Sequence, residues 1–92
     1  MINTYDELKE LTLELEIQLL QLYKSPILHG ESLQLSLGYK SLDAMRQSFA
    51  KGRAPIKLFK MSNRRGKYAL TKDVAAYLAK TRLDIDKEEH MK

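Results

Sequence analysis

The chain has 92 residues, 43% of them apolar and 30% charged, with no cysteine and a net charge of +4. That suffices for one small core, leaves little room for an enclosed active site, and rules out a disulfide framework or a thiolate zinc site. No apolar run approaches bilayer-spanning length and the acidic N-terminus lacks the basic-then-apolar form of a signal peptide, so a cytoplasmic protein is expected.

The charge is segregated along the chain. Residues 1–24 hold five Asp/Glu against two Lys, residues 25–72 hold ten Lys/Arg against only Glu31 and Asp43, and residues 73–92 come to −1. A central block at +8 is what a surface approaching phosphate carries; the plain alternative is a solvated basic face.

In chain order, Thr4-Tyr-Asp-Glu7 fits a capping box, with Thr4 as N-cap and Glu7 three positions on. Leu11, Leu13, Leu15, Ile17 and Leu19 alternate with polar residues as in a strand. The segment is nevertheless Leu, Glu, Gln and Lys with one β-branched apolar residue, and that composition predicts a helix. Ser25-Pro26 ends it, because a residue before proline is pushed out of helical geometry. On the helical wheel Leu8, Leu11, Leu15, Leu19 and Leu22 form one stripe, and Leu13, Ile17 and Leu20 a nearly opposite one. A helix packing on a single domain needs one stripe. A second stripe therefore suggests a homodimer contact, assigned to the first set with the choice between the two stripes left open, the alternative being that both are buried within one chain.

Ile27-Leu28 suits a short extended segment, and Glu31–Leu37 a short helix with Leu33 and Leu37 on one face and Gly38 as its stop. Tyr39-Lys40 makes the turn and Ser41 the N-cap of the next helix. There Leu42, Met45 and Phe49 should face the core, while Asp43, Gln47, Ala50 and Lys51 point away, Arg46 sits at the edge, and Gly52 ends the helix. Two short helices about a glycine-containing turn, the second polar and basic outside, is a helix-turn-helix arrangement. Gln pairs with adenine and Arg with guanine through two hydrogen bonds, Lys51 adds charge, and Lys40, Ser41 and the free amides at the helix start suit a phosphate. Asp43 opposes such a role unless it accepts from a cytosine amine.

Pro55 opens a strand in which Ile56 and Leu58 alternate with Lys57; on the return, Tyr68 and Leu70 alternate with Lys67 and Ala69. Ser62-Asn63-Arg64-Arg65-Gly66 turns between them. A surface hairpin has no folding reason to carry Lys57, Lys60, Arg64, Arg65 and Lys67 together, whereas backbone or minor-groove contact supplies one. Thr71 suits an N-cap for a last helix with Val74, Tyr77, Leu78, Thr81 and Ile85 on its inward stripe, lying across the hairpin. The domain divides into a dimerisation helix (1–24), a DNA-binding domain (25–85) and a polar tail (86–92) expected to fray.

This order of elements resembles the winged helix-turn-helix of excisionases, AlpA-type regulators and the related MerR-like DNA-binding domain. The likeness spans about residues 27 to 82 and rests on Leu37-Gly38-Tyr39-Lys40-Ser41, a helix ending at Gly52-Arg53-Ala54-Pro55, then a strand, Arg65-Gly66-Lys67-Tyr68, and Leu70-Thr71-Lys72-Asp73-Val74. The long N-terminal helix and the longer wing depart from the pattern. The resemblance implies an α+β, mainly helical fold, with Ser41 through Lys51 in the major groove and Arg64 and Arg65 in the wing. It also implies a small, nucleoid-associated regulator of transcription encoded by a mobile element such as a prophage or plasmid, or alternatively an excisionase-type factor directing a recombinase. No effector-binding segment follows the domain, so ligand control is not expected.

The residues expected on duplex DNA are Lys40, Ser41, Arg46, Gln47, Lys51, Arg53, Lys60, Arg64, Arg65 and Lys67. A second copy of the chain is the expected protein partner, with a recombinase or RNA polymerase beyond it. Enzymatic activity, a cofactor and a metal are not expected: His29 and His90 are the only histidines, and the four glycines are scattered turn residues. Two other readings stay open, an adaptor for an acidic protein and an RNA binder. The latter depends on Tyr39 and Phe59 being free to stack on bases.

Overall fold

The computed structural model describes residues 4–90, with side chains placed from 5 to 85. The elements are α1 (Thr4–Tyr23), β1 (Ile27–Leu28), α2 (Gly30–Leu37), α3 (Leu42–Ala50), β2 (Ala69–Leu70) and α4 (Thr71–His90). This is a mainly helical α+β architecture with one small antiparallel sheet, in which Ile27 lies opposite Leu70 and Leu28 opposite Ala69. The Thr4 capping side chain and the side chains of the 86–92 tail lie outside the described residues, although α4 continues to His90.

The sheet fixes how the long helices meet. α1 feeds into β1 and β2 feeds into α4, so the two helices, of 20 residues each and about 30 Å long, run antiparallel from one end. They form the most extensive contact between elements. Thr71 ties that end. Its amide donates to the Pro26 carbonyl and its hydroxyl to the Ser25 carbonyl, each at 2.8 Å, and the residue is only 1% exposed. The sequence predicts a helix cap at Thr71; its hydroxyl instead donates across the chain, where an unpaired carbonyl would be costly.

The inward face of α4 also differs from the predicted stripe. Val74, Ala75 and Ala79 are fully buried and Leu78 is half-buried, whereas Thr81 is exposed and Ile85 is 44% exposed. Ala75 and Ala79, one turn apart, leave room for α1 to approach closely. On α1 the half-buried face includes Leu8, Leu11, Leu15 and Leu19, so within the chain it is α4 that covers four of the five leucines assigned to a partner. Leu22 is exposed at the edge of that stripe, and Leu13 and Ile17 are exposed on the far side.

Beyond the end of this helical stem sits a small head. Leu28, Leu33, Met45, Phe49, Ala69 and Val74 form its core, with Leu37, Tyr39, Leu42, Ile56 and Leu58 packed around them. Fully burying one such leucine stabilises by roughly 1.5–3 kcal/mol. α2 begins one residue before the predicted start and stops at Gly38, whose φ of 83° is a left-handed conformation that glycine adopts without strain. The Gly38 and Tyr39 amides donate back to the Gln34 carbonyl, both at 3.1 Å. The predicted Ser41 cap is present: its Oγ accepts from the Ala44 amide at 3.0 Å. Gly52 closes α3, its amide donating to Phe49 and that of Arg53 to Ser48.

The predicted hairpin is much reduced. Only Phe59 and Tyr68 exchange backbone hydrogen bonds, both 2.9 Å long. Residues 56–58 are unpaired because Ile56 and Leu58 turn inward onto the core, and beyond Tyr68 the return segment pairs with β1. Asn63, at φ 62°, takes the left-handed position in the turn closed by the Arg64 amide on the Met61 carbonyl at 3.2 Å.

Candidate nucleic-acid interface

α3 separates its faces as its sequence predicts. Met45 and Phe49 are buried and Leu42 half-buried, while Asp43, Arg46, Gln47, Ala50 and Lys51 are exposed. The helix is held from the turn before it: the Tyr39 hydroxyl lies 2.9 Å from Ser48 Oγ, and its ring meets Phe49 edge-on with centroids 6.0 Å apart. Gln34 Nε2 donates to the Tyr39 carbonyl at 3.0 Å. Three side-chain contacts thus fix the angle between α2 and α3, and with it the direction in which Arg46 and Gln47 point.

Between α3 and the tip of the 59–68 ribbon lies a groove of about 530 Å³. Leu42, Met45, Phe49 and Ala50 line it from α3, Arg46 stands on the same side, and Arg65, Gly66 and Lys67 line it from the ribbon. His29 and Gly30 reach it from the start of α2. An apolar floor under three cations suits a partner that carries negative charge on a carbon frame, as a sugar-phosphate chain does. Lys40, Gln47, Lys51, Arg53, Lys60 and Arg64 are exposed in the head outside the groove lining.

Two predicted contacts change character. Ser41 is half-buried with its hydroxyl engaged in capping, so it serves the fold and leaves Lys40 as the free group at that corner. Asp43 lies 3.6 Å from Arg46, both side chains well exposed at 86% and 69%. A surface pair one turn apart contributes only about 0.3–0.5 kcal/mol, so Arg46 is readily released to another anion.

His29 lines the groove, a position that local sequence signals do not disclose. Its ring packs against Tyr68, centroids 4.8 Å apart, because continuing the register of Leu28 opposite Ala69 brings residue 29 beside residue 68. Only the pairing of β1 with β2 would have revealed it. Tyr39 and Phe59 are both half-buried. Tyr39 is committed to Ser48 and Phe49, and Phe59 stacks on Tyr68 with centroids 6.2 Å apart. Both rings are thus engaged within the head.

Among the described residues no three His, Cys, Asp or Glu side chains come together in a metal-binding group, and no helix is long and apolar enough to cross a membrane. Comparison with protein-family models, with curated proteins and with solved structures finds no match to this chain.

Proposed function

We propose that the protein binds double-stranded DNA sequence-specifically, as a small transcriptional regulator of a mobile element. In this reading α2 and α3 form the helix-turn-helix of a winged fold. α3 enters the major groove, whose width of about 12 Å admits a helix about 10–12 Å across, and the 59–68 ribbon is the wing on the backbone or minor groove. Gln47 and Arg46 read base edges; Lys40, Lys51, Arg53, Lys60, Arg64, Arg65 and Lys67 meet phosphates. Two copies related by a two-fold axis present two such heads to a palindromic site.

The observation that carries this reading is the groove between α3 and the ribbon, with Arg46, Arg65 and Lys67 around an apolar floor inside the one block of the chain that carries net +8. A basic face present only for solubility has no need to converge on a groove.

The test is a titration of labelled duplex at salt concentrations from about 50 to 200 mM. Each neutralised phosphate contributes a log–log slope of about −0.9, so a slope of about −4 or steeper is expected. Absence of binding at the lowest salt would refute duplex binding and favour the adaptor for an acidic protein.

A further inference from the structure

One face of α1 remains uncovered once α4 is in place. Tyr5, Leu13 and Ile17 are 71%, 57% and 48% exposed, and a shallow groove of about 360 Å³ lined by Tyr5, Leu8, Lys9, Thr12, Leu13 and Glu16 runs along it. Tyr5, Lys9, Leu13, Glu16 and Leu20 recur at spacings of three and four, so they share one stripe, exposed at Tyr5, Lys9 and Leu13 and half-buried at Glu16 and Leu20. Among the described residues neither Lys9 nor Glu16 has an ion-pair partner.

The stripe is a charge palindrome. About a midpoint between Thr12 and Leu13, Lys9 and Glu16 lie equally far out, and Tyr5 and Leu20 lie equally far beyond them. We propose that this face of α1 is the surface on which a second copy of the chain docks, antiparallel, about a two-fold axis at Thr12–Leu13. Lys9 of each copy then faces Glu16 of the other, Tyr5 covers Leu20, and the two Leu13 side chains close the centre. A parallel arrangement places Lys9 on Lys9 and Glu16 on Glu16, so the charges themselves select the antiparallel one.

With α4 flanking each α1, the assembly is a four-helix bundle. It carries the two heads to opposite ends: at about 1.5 Å per residue each Tyr23 lies about 16 Å from the two-fold axis and so about 32 Å from its counterpart, with the heads beyond these points. This inference rests on the two-copy part of the proposed function and moves the contact from the Leu8–Leu22 stripe, which α4 largely covers, to the neighbouring face of the helix, with Leu8 at the border.

The test is sedimentation of the full chain and of Lys9→Glu, Glu16→Lys, the double reversal, and Leu13→Lys, each checked for helicity by circular dichroism. The wild type is expected to be a dimer. Each single reversal creates two like-charge contacts and should weaken it about tenfold or more; the double reversal should restore it, and Leu13→Lys should give a folded monomer. A monomeric wild type, single reversals that dimerise as tightly as the wild type, or a double reversal no tighter than the singles would overturn the proposal. Duplex binding is read separately: any of these overturning outcomes with duplex binding retained counts against this surface alone, not against the DNA reading, and the folded Leu13→Lys monomer should still bind a half-site.

Discussion

The head and the stem of this molecule are built by different means. In the head, individual polar contacts set each angle: Ser41 caps α3, Tyr39 holds Ser48, Gln34 holds the turn, and Gly38 reverses the chain. In the stem, α1 and α4 meet along a seam of leucines and alanines, with the Thr71 tie to Ser25 and Pro26 at the end nearest the head. The charges divide along the same line, +8 over residues 25–72 and −3 over residues 1–24. A surface that reads a ligand needs side chains fixed closely in direction, which hydrogen bonds supply. A surface that assembles copies needs area and register, which a helical stripe supplies.

The sharpest way to break this division is Leu33→Ala. Leu33 has no exposed surface, and its truncation should cost about 2–5 kcal/mol in a urea melt. Because it anchors α2 in the core of the head, stability and DNA binding should fall together. Next in size is Ala79→Leu, which forces extra volume into the α1–α4 seam and should cost about 1–3 kcal/mol. Its expected signature is lost stability with the affinity of the remaining folded protein for DNA unchanged; an altered affinity would show that the seam also sets the head.

The smallest effects on stability should come from the exposed head residues. Replacing Arg64 and Arg65 with Ala should leave the melting temperature unmoved and make the salt slope less negative by about 1.8, for all duplexes alike. Replacing Arg46 and Gln47 with Ala should instead relax discrimination between sequences, each good base contact being worth about 1–3 kcal/mol, again with stability intact. A fall in stability for this second pair would make those side chains structural.

What could be read from the sequence follows the range of the interaction. The Ser41 cap, the stops at Gly38 and Gly52, and the division of α3 into Leu42, Met45 and Phe49 against Arg46 and Gln47 are all decided within one or two helical turns, and all are present. The pairing of Ile27-Leu28 with Ala69-Leu70 is decided across forty residues with no local mark, and three misplacements follow from it. Thr71 is drawn to Ser25 instead of capping α4, His29 arrives beside Tyr68 in the groove, and the outgoing arm of the hairpin keeps a single pairing at Phe59. The inward face of α4 was obscured for another reason. A hydrophobic stripe weights Ile85 above Ala79, yet a close helix–helix seam prefers the smaller residue.

The central claim is that the head alone meets the duplex, and amide chemical shifts measure it residue by residue. Titrating labelled protein with a DNA duplex should move the resonances of Lys40–Arg53 and of the ribbon from Lys60 to Lys67, while those of α1 from Leu8 to Leu20 stay in place. Shifts confined to α1, or a uniform lack of shifts at low salt, would contradict the account.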